Sequence, residues 1–144
     1  VFAIPIPRNK SKWNTISFVS TLYLCPILDL LLAPIPSQWQ AEIRLGLQEA
    51  LVNAAKHGNQ LDPNKTIIVK FTITQTEYCW IIIDEGKGFI PQCSYPSLSD
   101  SYLPPEESEN GRGMCILQEV FDRVNWNKEG TELTLSKNMH HKEH

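Results

Sequence analysis

Between residues 38 and 57, apolar side chains recur at helical spacing. Ile43, Leu47, Ala50, Leu51 and Ala54 share one face, while Glu42, Gly46, Glu49, Asn53 and Lys56 fall roughly opposite. This predicts a long helix with Ser37 as its N-cap and Gly58-Asn59 closing it in a left-handed turn. Ahead of it, residues 13–21 alternate as a strand and residues 22–32 read as a helix, stopped by Pro34-Ile35-Pro36. Behind it, residues 66–74 alternate cleanly, with Ile67, Val69, Phe71 and Ile73 on one side. Residues 78–84 are apolar on both faces, which predicts a strand central in its sheet, joined to the previous one as a hairpin by Gln75-Thr76-Glu77.

The pattern then breaks. Residues 90–110 hold Pro91, Pro96, Pro104 and Pro105 with several serines, and read as a lid-like loop without regular structure. A helix over 113–121 and a hairpin of strands 123–127 and 131–136 around Lys128-Glu129-Gly130 complete the chain. Residues 1–12 read as a loose leader and 138–144 as a frayed tail around one domain spanning 13–137. The order β-α-α-β-β-lid-α-β-β implies an α/β (α+β) two-layer sandwich. Its sheet is expected to be mixed and mainly antiparallel, with the helices on one face.

Composition narrows the possible functions. The 144 residues are 42% hydrophobic and 20% charged, with a net charge of −3. This is ordinary for a globular domain and gives no basic surface for nucleic acid. The apolar run at 28–33 ends at Pro34, too short for a membrane span, and no signal peptide is expected. The four cysteines form no Cys-x-x-Cys pair, which argues against zinc. Three of them sit among apolar residues, which predicts inert core thiols and a reducing, cytoplasmic setting.

Candidate chemistry lies at four places, each with an ordinary explanation when taken alone. Glu49 and Asn53, spaced i, i+4 beside small residues, could be an exposed helix pair or a general base with a hard oxygen ligand for Mg²⁺. Asp84, closing an apolar strand, could cap its own turn or accept a hydrogen bond from the exocyclic amine of a purine. Gly86 and Gly88 permit close approach of a flat ligand. Gly111-Arg112-Gly113 reads as opening a helix, either as a lid hinge or as a phosphate site with a charge-assisted arginine contact. No Walker-type loop, ordinary protein-kinase motif set or Ser-His-Asp arrangement is present, and His57 reads as a helix-end residue.

Taken in order, these segments resemble the boxes of the GHKL (Bergerat-fold) ATPase superfamily. Glu49-x-x-x-Asn53 is similar to the N box, Asp84-x-Gly86-x-Gly88 to the G1 box, Gly111-x-Gly113 to the G2 box and Gly130-Thr131 to the final glycine-threonine element. Within the superfamily the chain most resembles anti-sigma-factor serine/threonine kinases. It is minimal, it lacks a phosphoacceptor hairpin before the N box, and it carries Glu49 where many histidine kinases have Asn. Ala54-Ala55-Lys56-His57-Gly58 is also similar to some histidine-kinase N boxes, which keeps open whether Lys56 touches phosphate.

The resemblance implies ATP and Mg²⁺ as cofactors. It implies Asp84 on the adenine amine, Gly86 and Gly88 against base and ribose, Asn53 on the metal, Gly111, Arg112 and Gly113 along the triphosphate, Thr131 near adenine and Glu49 as general base. The implied partners are an anti-sigma-factor antagonist that receives the phosphate on serine, a sigma factor, and a second copy meeting near residues 13–21. A non-transferring ATP-binding module and a detached histidine-kinase-type ATPase domain remain as alternatives.

Overall fold

The computed structural model describes residues 2–5, 12–88 and 105–139, with the side chains of 12–88 and 113–139. Strands β1 (Phe2–Pro5) and β2 (Asn14–Val19) precede helices α1 (Cys25–Leu32) and α2 (Ser37–Val52). A π-helical turn, Asn53–Gly58, continues α2 directly. Strands β3 (Thr66–Ile73) and β4 (Glu77–Ile83), helix α3 (Pro105–Val120), and strands β5 (Arg123–Trp126) and β6 (Glu132–Asn138) follow. The α+β sandwich expected from the pattern is the observed one.

The six strands lie in the order β1-β2-β3-β4-β6-β5. Every pairing is antiparallel, so the sheet has no parallel component among the described strands. β4 is interior, as its two-sided apolar character requires. Alternate residues Ile67, Val69 and Phe71 of β3, Tyr78, Trp80 and Ile82 of β4, and Leu133 and Leu135 of β6 are buried. They form one core with Ile27, Leu28 and Leu31 of α1, Ile43, Leu47 and Leu51 of α2, and Met114, Leu117 and Val120 of α3. The helices therefore share one face of the sheet. Trp80 sits at its centre, stacked on Phe71 with centroids 5.5 Å apart and edge-on to Phe121.

Several expectations are corrected. Residues 2–5, placed in a loose leader, form edge strand β1 against β2. Asn138, assigned to the tail, ends β6, while 140–144 lie outside the described residues. Pro36 occupies the N-cap of α2, with Ser37 already the first helical residue and no side-chain cap bond. Asn59 is right-handed, with φ −84°, and the left-handed turn falls at Gln60 and Leu61, both with φ 56°. The reversal is delayed because the Asn59 side chain is buried and fully engaged, whereas Gln60 and Leu61 are exposed.

The lid is corrected in part. Residues 105–110 are helical, so Gly111 and Gly113 lie inside α3 rather than opening it. Residues 89–104 fall outside the description. The cysteines differ from expectation as well: Cys79 is buried, Cys25 is exposed and Cys115 is disulfide-bonded. Among the described residues only Cys79 is the inert core thiol foreseen, its pKa pushed up by burial and by nearby Glu77, against the opposing Arg123. No helix among the described residues is long and apolar enough to cross a membrane.

Candidate functional site

The π-helical turn brings the end of α2 against the end of β4. A π-turn widens the helix and shifts the side-chain register by one residue, and such turns concentrate at functional sites. Here the Asn59 N–H reaches back to the Ala54 carbonyl at 2.8 Å. The turn delivers Gly58 to Asp84 at the tip of β4. A Cβ on Gly58 would stand 2.5 Å from the Asp84 carboxylate carbon, and one on Gly86 would strike the Gly58 carbonyl oxygen. Only glycine fits at either position, so the turn after β4 and the end of the helix are locked at backbone contact. Gly88 takes φ +105°, and a Cβ there would strike the Glu129 carbonyl oxygen of the β5–β6 turn.

Asp84 is 8% exposed. Its Oδ1 accepts a hydrogen bond from the Gly86 N–H at 2.8 Å. Its Oδ2 has no partner among the described residues. Burial raises the Asp84 pKa above the ordinary carboxylate value, and the Gly86 hydrogen bond and the Lys65 charge oppose that rise. The Asp84 N–H donates to the Thr131 carbonyl at 2.9 Å, which extends the β4–β6 ladder to the glycine-threonine element. Asn127 Oδ1 accepts from the Thr131 N–H at 2.9 Å and the Glu132 N–H at 3.0 Å, fixing that turn.

Between these elements lies a small, partly open cavity lined by Ala50, Asn53, Ala54, Ile82, Asp84, Trp126 and Leu133. Its floor is one row of the sheet, since Trp126 pairs with Leu133 and Leu133 with Ile82. Its roof is the face that runs from α2 into the π-helical turn at i, i+3, i+4: Ala50, Asn53 and Ala54. The two alanines leave a flat apolar slot above Ile82 and Leu133. At one edge stands the free Asp84 oxygen. At another stands the Asn53 amide, 9% exposed and held by no described hydrogen-bond partner.

Asn53 and Asp84 thus share one cavity, with Gly86 and Thr131 bonded to Asp84 at its rim. Glu49 lies one turn before Asn53, half-buried, and its Oε1 would stand 2.9 Å from a Cβ on Gly113. It faces α3 rather than lining the cavity. Lys56 is exposed and does not line it either. Gly111 and Arg112 lie in α3, and the Arg112 side chain is outside the description.

The sequence reading missed the walls. Ala50 and Ala54 carried a signal, as small residues flanking Asn53 on the apolar face. Trp126 carried none beyond its place in a strand.

The residues fit a purine nucleotide with a divalent cation. An apolar slot suits a flat base, and a carboxylate oxygen without a donor suits its amine. An amide oxygen suits Mg²⁺, which takes few protein ligands and keeps its waters and phosphates. No cluster of three or more acidic, histidine or cysteine residues that would hold a metal by itself occurs among the described residues.

Residues 31–137 match the family described as histidine kinase-like ATPase domain. The chain is 30% identical over 103 residues to the anti-sigma F factor of Anoxybacillus flavithermus, covering 68% of each protein. It is 25% identical over 103 residues to that of Clostridium perfringens, covering 68% of this chain and 71% of the relative. The N-box helix, the Asp84 turn and the glycine-threonine turn around one slot accord with these matches, and the chain belongs to the histidine kinase-like ATPase family of the GHKL superfamily.

Proposed function

We propose that the protein is an ATP-dependent serine/threonine kinase acting as an anti-sigma factor. It would transfer the ATP γ-phosphoryl group to a serine of an anti-sigma-factor antagonist. The single observation that carries this reading is the shared cavity, with the Asp84 carboxylate and the Asn53 amide at its edges and an apolar slot between them. The similarity to anti-sigma F factors supplies the class of partner.

Each residue has one task in this reading. Asp84 Oδ2 accepts a hydrogen bond from the adenine amine, and Ile82, Leu133 and Trp126 exclude water around the base. Gly86, Gly88 and Thr131 hold the rim against which base and ribose pack. Asn53 offers the metal its oxygen, and bound Mg²⁺ neutralises triphosphate charge. Gly111, Arg112 and Gly113 of α3 would border the phosphates, with Lys56 as a further cation for them. Glu49 Oε takes the proton of the attacking serine hydroxyl. The protein would act in the cytoplasm as a homodimer formed near β2, and a sigma factor would bind the same domain.

The test is incubation with γ-labelled ATP, Mg²⁺ and an antagonist protein, scoring phosphoserine. Glu49→Ala should leave ATP affinity within about threefold, because Glu49 does not line the slot, and should lower transfer by about a hundredfold or more. Transfer at the normal rate in that variant removes Glu49 as base. Tight ATP binding by the unaltered protein without any transfer supports the non-transferring module instead.

A further inference from the structure

Asn59 follows the N box directly and has no role in the reading above, yet its side chain makes three hydrogen bonds beside the site. It is fully buried, at 0% exposure. Its Nδ2 donates to Ser20 Oγ at 2.8 Å, at the end of β2, and to the Thr66 carbonyl at 2.9 Å, at the start of β3. Its Oδ1 accepts from the Glu85 N–H at 2.7 Å, in the turn after Asp84. Its backbone N–H goes to the Ala54 carbonyl at 2.8 Å and its own carbonyl receives the Asp62 N–H at 3.1 Å. Both amide hydrogens and the amide oxygen are satisfied, each by a different segment of chain. A buried amide bonded in this way has one orientation.

We infer that Asn59 is the positioning residue for purine recognition, holding the turn after β4 so that the free Asp84 oxygen meets the amine edge of the base. The inference rests on the proposed ATP site. Asp84 sits between two constraints. Its own N–H is held by the Thr131 carbonyl on one side, and its neighbour Glu85 is held by Asn59 on the other. The carboxylate is turned by the Gly86 N–H, which belongs to the same turn. Gly58, immediately before Asn59, forms the wall at van der Waals contact behind the carboxylate. Without the Asn59 oxygen, the Glu85 N–H loses its buried acceptor, and the turn keeps its β6 side and the exposed bonds that the Glu85 carboxylate accepts from Thr66. The carboxylate then loses its fixed direction, while the phosphate side of the site, built on α2 and α3, keeps its shape.

That division gives a readout which a merely structural role would not move: the affinity ratio between ATP and purine riboside triphosphate, which lacks the exocyclic amine. The unaltered protein should prefer ATP. Asn59→Ala, measured at a temperature where circular dichroism shows it folded, should reduce that preference about tenfold, the scale of one hydrogen bond to a charged group. Its affinity for the amine-free triphosphate should stay within about threefold. The second measurement needs no variant: the Glu85 amide of the unaltered protein should exchange slowly by NMR, although Glu85 itself is exposed.

An unchanged ratio in Asn59→Ala, or equal losses for both nucleotides, overturns the inference and leaves the ATP site standing. A Glu85 amide exchanging at the unprotected rate overturns it as well, including where Asn59→Ala does not fold. Equal affinity of the unaltered protein for both nucleotides overturns the purine reading, and this inference with it.

Discussion

Lys137 and Asp84 are both charged and both 8% exposed, at different ends of the helix layer, and the fold treats them in opposite ways. Lys137 Nζ donates to Glu42 Oε2 at 3.0 Å and to the Val120 carbonyl at 2.8 Å, and lies 5.4 Å from the centroid of the Trp39 ring. The protein closes every side of that charge. Asp84 receives one backbone hydrogen bond and opens its other oxygen onto a cavity. A buried charge with protein partners all round pins elements together, here α2, α3 and β6. A buried charge with one partner missing leaves an acceptor for a donor from outside the chain, which is the role proposed for Asp84. Burial alone does not separate the two, whereas the count of unfilled hydrogen-bond positions does.

The largest effect should come from Asp84→Asn. The variant keeps the shape and the oxygen that the Gly86 N–H bonds. It replaces the acceptor facing the cavity and removes a charge that burial disfavours. ATP affinity by calorimetry should fall about a hundredfold, since a donor is left facing a donor. Thermal stability should hold or rise. A protein that binds ATP within threefold of normal would place Asp84 with Lys137 among structural charges.

Lys137→Met should show the converse. The methionine fills the volume beside Trp39, but the Val120 carbonyl loses its donor and Glu42, half exposed, turns to water. A loss of about 2 kcal/mol in urea unfolding is expected, at the lower end for breaking a buried pair because one partner stays hydrated. ATP affinity should stay within twofold. A collapse of binding at unchanged stability would erase the distinction between the two charges.

The sequence made one of these regions legible and hid the other. The β3–β4 and β5–β6 hairpins and the face of α2 follow from period, because alternate or i, i+3, i+4 burial leaves its mark on composition. Asp84, Asn53 and the glycines stand out in the sequence because each breaks such a pattern. The π-helical turn has no periodic signature. Its widening is imposed by the contacts of Gly58 with Asp84 and of Asn59 with β2 and β3, which join residues far apart in sequence. Helix α3 was read as starting at its glycines because proline, serine and glycine each disfavour a helix interior. The structure runs helix through Gly113, which stands against the Glu49 side chain of α2. Trp126 belongs to the cavity only through register, by pairing with Leu133 beside Ile82. Nothing in the sequence marks Lys137 as buried.

The smallest effect is also the most specific to the open charge. Burial raises the Asp84 pKa above 3.8, its ordinary value. In folding, a carboxylate with a raised native pKa destabilises the native state at neutral pH, and that cost disappears as the pH falls through the raised value. Nucleotide binding runs the other way, because an amine donor needs the carboxylate ionised. Lowering the pH should therefore weaken the preference for ATP over purine riboside triphosphate, beginning above the range in which an ordinary aspartate titrates. The ratio cancels the titration of the phosphates, which the two nucleotides share. A decline of several-fold on mild acidification, absent in Asp84→Asn and unchanged in Lys137→Met, would tie the pH response to the charge the fold leaves open. A decline that persists in Asp84→Asn would assign it to another group and remove the carboxylate from base recognition.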